Sequence, residues 1–207
     1  MKKEAKKSVK NINKKKEKYY VFLFRHGQTT YNRDHVFTGW KDAKLTDEGK
    51  EHAKKIAEKL KKKKIGLAIQ SKLLRSKNTL KYVLEYHPEC KKIITDNRII
   101  ERSYGSLAGY KHSTIINKYG KEQYEKWHRG FRDRPPKGEC FADVEIRVRD
   151  FFKDLKKVIK KEKTNIAISA HGNSIRLFRK VMEGLSINKT EQINIPYEKV
   201  YIYEFEV

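Results

Sequence analysis

Two stretches of the chain end alike, and each ends on residues able to do chemistry. The apolar run YYVFLF (residues 19–24) leads straight into Arg25, His26 and Gly27, and TNIAISA (164–170) leads into His171, Gly172 and Asn173. A neutral imidazole is a competent nucleophile at neutral pH, and glycine beside it lets backbone and ligand approach closely. Arg25 offers a planar fork of donors matched to phosphate oxygens. A second imidazole, once protonated, can stabilise charge on a transferring phosphoryl group. Metal-free phosphoryl transfer also needs further cations for the equatorial oxygens and an acid for the leaving oxygen. Arg75 in SKLLRSKNT and Glu101 in IIERSYG could supply them. The carboxyl of Glu101 follows two isoleucines, and desolvation raises a carboxyl pKa as a general acid requires. Each residue also has an ordinary reading: His26 as a satisfied strand-end histidine, Arg75 as a solvent-facing helix arginine, Glu101 as a surface glutamate paired to Arg98 or Arg102. Two histidines could instead hold a metal. An arginine-lined crevice would repel a dication, and no H-E-x-x-H or Asp-rich loop accompanies them, so no metal is expected.

Strands and helices must alternate to bring these residues together. The run at 19–24 reads as a buried strand. LTDEGKEHAKKIAEKLKKKK reads as a helix capped by Thr46, with Asp47 and Glu48 at its positive end and Ala53, Ile56, Ala57 and Leu60 as its apolar stripe. IGLAIQS is a second strand, KLLRSKNTLKYVLEY a second helix ended near Pro88, and KKIITD a third strand. Residues 98–138 read as helix and loop. A long helix follows, with Val144, Val148, Phe151, Leu155 and Val158 on one face. TNIAISA is a strand, NSIRLFRKVMEG a helix closed by Gly184, and KVYIYEFEV alternates like an outer strand. This order predicts a three-layer α/β/α sandwich with a largely parallel sheet. In such sheets ligands sit beyond the carboxyl ends of the strands. That places His26 and His171 in one crevice across 145 residues of chain.

The 207 residues suit one catalytic domain over 19–207 behind a lysine-rich tail over 1–18, which reads as solvated and mobile. The net charge is +24, of which the tail's nine lysines and two glutamates give +7. Lysine-biased composition explains the remainder more readily than a polyanion partner does. The tail lacks the interleaved aromatics of a single-strand binder and no nucleic-acid module is recognisable, so nucleic acid is not an expected partner. Cys90 and Cys140 have no C-x-x-C or zinc spacing and read as reduced thiols in the cytoplasm. There is no apolar run of membrane-spanning length and no secretory signal pattern.

The segment FLFRHGQTTYN resembles the signature of the histidine phosphatase superfamily, whose members form a phosphohistidine. The likeness continues through VFTGWKDAKLTDEGKEHA, QSKLLRSKNTL, IERSYGSLAGY, YGKEQYEKWHRGF, SAHGNSIRLF and NIPYEKVYIYEF, a run that is similar to the cofactor-dependent phosphoglycerate mutases of glycolysis. The resemblance implies that His26 is the nucleophile, Glu101 the acid/base, and Arg25, Arg75 and His171 the phosphate pocket. It implies that Asn32, Thr38, Gly39 and Asn173 form the ligand-contacting rim, and that Tyr104 and Arg129 hold the rest of a phosphoglycerate. It also implies small phosphorylated metabolites as partners, a homodimer, and 2,3-bisphosphoglycerate as primer in a mutase or no cofactor in a phosphatase.

This chain departs from the mutase pattern. His112 stands where a substrate-binding lysine is expected, and His128 replaces one of two arginines, each weakening a fixed positive charge. RPPKGECFADVEIRV links Pro136 directly to the following helix where mutases carry a long segment, and the chain stops soon after its last strand. A shorter rim admits water to a phosphohistidine. The sequence therefore favours a metal-independent phosphohydrolase of small phosphorylated metabolites on a mutase-like frame, ahead of a mutase interconverting 3- and 2-phosphoglycerate. A catalytically idle scaffold or a polyanion binder ranks below both.

Overall fold

The computed structural model describes residues 16–207, so tail positions 1–15 lie outside the described residues. Lys18 belongs to the first strand rather than to the tail. In chain order the elements are β1 (Lys18–Arg25), α1 (Thr30–Arg33), α2 (Asp47–Leu60), β2 (Leu67–Gln70), α3 (Leu74–Leu84), β3 (Lys92–Thr95), α4 (His112–Tyr119), α5 (Lys121–Arg129), α6 (Phe141–Glu162), β4 (Ile166–Ala170), α7 (Gly172–Glu183), α8 (Ile187–Gln192) and β5 (Val200–Glu206). Two 3₁₀ turns, Asn97–Ile99 and Gly105–Leu107, lie between β3 and α4.

The five strands pair in the order β3-β2-β4-β1-β5. The first four are parallel, and β5 runs antiparallel to β1 at the edge. Val21–Phe24 and all of β4 are buried, so helices cover both faces, as a parallel sheet requires. On one face Val21, Leu23, Ile166 and Ile168 pack with Phe141, Val144, Val148, Phe151, Leu155 and Ile159 of α6. On the other, Phe22, Phe24 and Ala167 pack with Ile56, Ala57 and Leu60 of α2 and Leu80 and Val83 of α3. The expected α6 stripe needs one correction. Ile159 enters the buried cluster, whereas Val158 is only partly buried against it, because 3.6 residues per turn carry the stripe one place on. The Thr46 cap, accepting from the Gly49 N–H at 2.9 Å, and the left-handed Gly184 at the end of α7 are both observed. The helices α1 and α8 are too short to show a sequence period.

The crevice is set by strand register. Arg25 faces Ala170 across β1 and β4, and the His26 N–H donates to the Ala170 carbonyl at 3.0 Å. Both histidines thus leave the sheet at the same level. The turn after His26 lies hard against the start of α2. A Cβ built on Gly27 would stand 2.0 Å from the Gly49 carbonyl oxygen, and one built on Gly49 would stand 1.9 Å from that of Gln28. Both obstacles are backbone and cannot rotate away. Gly49→Ala is expected to lower the unfolding free energy by about 1–3 kcal/mol, as overpacking does, measured by urea denaturation; an unchanged midpoint would mean that α2 is free to shift.

Candidate active site

A cavity of ≈ 160 Å³ opens beyond the strand ends. Its walls include Arg25, His26, Asn32, Thr38, Gly39, Arg75, Glu101, Tyr104, His112, His128, Arg129 and Asn173. Of the residues singled out in the sequence, only His171 is missing from the walls. It sits against His26, ring centroids 5.0 Å apart, at the N-terminal edge of α7.

The tautomer of His26 follows from its partners. Its Nδ1 lies 2.7 Å from the Gly27 carbonyl, which can only accept, so Nδ1 carries the proton. Nε2 is therefore the lone-pair atom, and the Arg75 Nε–H donates to it at 3.2 Å. Burial, then the charges of Arg75 and Arg25, hold the His26 pKa well below the usual imidazole range. The ring is therefore unprotonated at neutral pH and holds a lone pair on Nε2.

Arg75 is not the solvent-facing helix arginine that its position suggests. It is 1% exposed, and its Nη groups donate to the carbonyls of Lys41 at 2.8 Å and Gly39 at 2.7 Å. Arg25 gives Nη1 to the Ile195 carbonyl at 2.9 Å, while its buried Nε has no partner among the described residues.

The sequence reading gives His171 a charge only once it is protonated. Burial first, then Arg75 and His26, press its pKa well below the ordinary value, so it is neutral as it stands. His171 Nε2 lies 2.7 Å from Ser71 Oγ, which also accepts from the Leu73 N–H at 3.3 Å. Its Nδ1 is buried and has no hydrogen-bond partner among the described residues. A dianion beside it would favour its protonation.

Glu101 pairs with neither Arg98 nor Arg102 through their guanidinium groups. Arg98 is taken by Asp96 and Asp154. The backbone N–H groups of Arg102 and Asn173 donate to Glu101 Oε1 at 2.7 and 3.1 Å. Its carbonyl accepts from Trp40 Nε1 and Arg147 Nη2. Glu101 Oε2 and the Arg25 Nε each lie 3.6 Å from where a Cβ on Gly172 would stand, so both face one point over the start of α7.

The rim residues divide. Asn32 Oδ1 caps α1 through Thr29, and Asn173 Nδ2 reaches the Tyr104 hydroxyl at 3.3 Å. His112 stacks on Phe37 at 4.1 Å, with its Nδ1 2.9 Å from the Tyr124 hydroxyl, and its ring lies 5.2 Å from that of His128. Burial, helped by nearby cations, pulls His112 down to about 4 and His128 to about 2. Both are neutral at physiological pH. Sequence reading missed Arg176, which lines the same cavity at 4% exposure, with Nη1 on the Thr190 and Glu191 carbonyls and Nε without a partner among the described residues. Its signal was an arginine in the middle of the apolar helix NSIRLF. It also missed Arg147, which donates to the Arg98, Ile100 and Glu101 carbonyls and so fixes the approach to Glu101.

A family model described as the histidine phosphatase superfamily (branch 1) matches residues 21–207. A 2,3-bisphosphoglycerate-dependent phosphoglycerate mutase 2 from Gloeobacter violaceus is 35% identical over 180 residues, covering 86% of this chain and 81% of that protein. A 2,3-bisphosphoglycerate-dependent phosphoglycerate mutase from Bartonella bacilliformis is 35% identical over 190 residues, covering 89% of this chain and 91% of its own. The solved structure of a protein called mycobacterial hydrolase 1 superposes with a TM-score of 0.79 at 22% identity, over 91% of this chain and 92% of that one. The Bartonella alignment leaves little of either chain unmatched, so the two are of nearly equal length. The short link after Pro136 therefore does not distinguish this chain from proteins named as mutases.

His26→Ala is expected to abolish turnover of p-nitrophenyl phosphate measured with a chelator present. It should also abolish an acid-labile, base-stable phosphoryl adduct on the protein. The histidines also govern stability. His26, His112, His128 and His171 all titrate lower in the folded chain than unfolded, so the unfolded chain binds more protons below about pH 6.5, and stability falls as pH falls from there. Each imidazole still neutral at pH 5 costs roughly 2 kcal/mol at that pH. Denaturation midpoints should drop steeply from pH 7 to pH 5, and His128→Gln should flatten the slope.

Proposed function

The chain belongs to the histidine phosphatase superfamily, whose enzymes transfer phosphoryl groups, and we propose that this member moves a phosphoryl group between the hydroxyls of a phosphoglycerate, primed by 2,3-bisphosphoglycerate. One observation carries the reading: the cavity is cationic at two places. Arg25 and Arg75 line it about His26, and Arg129 and Arg176 line it beside His112 and His128. A simple phosphomonoester needs cations around its phosphorus alone. A phosphoglycerate carries a second anionic group a few bonds away, and Arg129 with Arg176 suits it. The full-length likeness to proteins named as mutases supports the same order.

The chain's own groups then have defined work. His26 Nε2 attacks phosphorus, the Nε2–P bond forming as the P–O bond breaks. Glu101 Oε2 gives a proton to the leaving hydroxyl and takes one from the acceptor hydroxyl on return. Arg25, Arg75 and His171 hold the equatorial oxygens. When bound, 2,3-bisphosphoglycerate supplies the phosphoryl group that charges His26, and Arg25 Nε and Arg176 Nε, which have no partner among the described residues, fit a ligand anionic at both ends.

A second reading keeps a specific observation behind it. His112 and His128 put two neutral imidazoles on the wall that would retain the glycerate, which favours water as acceptor and hence hydrolysis. The deciding assay supplies 3-phosphoglycerate with catalytic 2,3-bisphosphoglycerate and follows 2-phosphoglycerate and free phosphate together. Many isomerisations per phosphate released are expected; phosphate release alone would make the protein a phosphatase. A charge-assisted contact is worth about 1.5–3 kcal/mol, and each 1.4 kcal/mol is about tenfold. His112→Lys should therefore raise the ratio of isomerisation to hydrolysis by about tenfold or more.

A further inference from the structure

We propose that Tyr197 is a positioning residue that sets the direction in which Arg25 meets the phosphoryl group, a role that rests on the phosphoryl-transfer reading of His26. Arg25 has no carboxylate partner among the described residues. Its aim must come from elsewhere. Its guanidinium carbon lies 4.1 Å from the Tyr197 ring centroid, and its Nη2 donates to the Tyr197 hydroxyl at 3.4 Å. With Nη1 on the Ile195 carbonyl, both Nη groups are held by one segment, and Nε is left for the ligand.

That segment, residues 193–199, joins α8 to β5 without regular structure. Such a coil is a poor anchor unless it is itself fixed. Here α2 fixes it. The Tyr197 ring stacks on His52, with centroids 4.9 Å apart and planes within 7°. His52 is seated in turn, its Nδ1 3.5 Å from the Gln28 N–H and its Nε2 3.7 Å from Glu48 and 3.8 Å from Glu198. Lys55 holds the Glu198 carboxylate and Lys59 its carbonyl, each at 2.8 Å. A continuous stack thus runs from α2 through His52 and Tyr197 to Arg25. A guanidinium over an aromatic face is attracted by the ring quadrupole without losing its charge, whereas a carboxylate partner would cancel the charge that the phosphoryl oxygens need.

The test uses p-nitrophenyl phosphate as substrate and orthovanadate as probe of the pentacoordinate geometry. Tyr197→Leu keeps most of the volume and removes the π-face and hydroxyl. It is expected to lower kcat by about 10–100-fold, the scale of a misplaced catalytic group, and to weaken vanadate inhibition by a similar factor, with KM and melting temperature little changed. Tyr197→Phe keeps the ring and loses only a long hydrogen bond, so it should stay within about threefold. In an Arg25→Ala background Tyr197→Leu should cost nothing more, because the residue it aims is gone. Loss of the same size in that background, or wild-type kcat and vanadate inhibition in Tyr197→Leu, would overturn the proposal. Should Tyr197→Leu not fold, His52→Ala, which removes the layer behind, must show the same non-additive loss in weaker form, and a folded His52→Ala without it overturns the proposal equally. A wild-type protein with neither turnover nor vanadate binding would instead refute phosphoryl transfer itself, and the role of Tyr197 with it.

Discussion

Burying a guanidinium costs several kcal/mol unless its N–H groups find acceptors, and around this cavity the acceptors are mostly backbone carbonyls. Arg75 takes those of Gly39 and Lys41, Arg25 that of Ile195, Arg176 those of Thr190 and Glu191, and buried Arg102 those of Trp127 and His128. A carbonyl satisfies a donor without cancelling its charge. The arginines therefore keep their field; Arg75 and Arg25 tie down coil segments, and Arg102 and Arg176 fasten the C-terminal carbonyls of α5 and α8. Rim shape and rim charge are consequences of one interaction repeated. Arg147 follows a different rule one layer back. It pairs with Glu139 as well as with carbonyls, so it braces the 98–101 segment with its charge already met.

Burial and the same field together set the protonation state of His26, the nucleophile of the proposed reaction. A histidine that must attack phosphorus is useless when protonated, and the cations that attract a phosphate also disfavour a proton on His26. Binding and activation are thus one arrangement. The Gly27 carbonyl adds the tautomer of His26, and the Ser71 hydroxyl holds the His171 ring at 2.7 Å. At the other end of the cavity, burial and Arg129 have turned His112 and His128 into neutral members of an aromatic wall with Phe37 and Tyr124. Charge there is left to Arg129 and Arg176.

Much of the fold was legible because its signals are local. Buried parallel strands are short apolar runs, and the helices carry a 3.6-residue stripe with recognisable caps. Most of the candidate site was legible for a related reason. Strands that end in R-H-G and H-G-N must deliver those residues to one edge of a parallel sheet, so His26 and His171 could be paired across the chain from topology alone. Arg176 and Arg147 escaped because each stands within a helix that otherwise reads as packing. A charged residue in such a helix looks like a surface position until its carbonyl partners, far away in sequence, are known. Arg75 shows the same limit. Its local pattern gives a helix arginine, and only the loop at 39–41 folding over it makes it buried.

What the sequence by itself determined was the inventory: two histidines at strand ends, arginines nearby, a glutamate after an apolar run, and the α/β order that gathers them. Those follow from residue types and short periods. What only the tertiary structure decided was the state and aim of each group. The neutrality of His26 and His171 depends on burial and on distances to Arg25 and Arg75. The direction of Arg25 depends on a stack with Tyr197 and His52, residues 172 and 27 positions away in sequence. The neutrality of His112 and His128 depends on an aromatic wall assembled from three separate segments. Such quantities are sums over neighbours in space, and no local pattern in the chain encodes them.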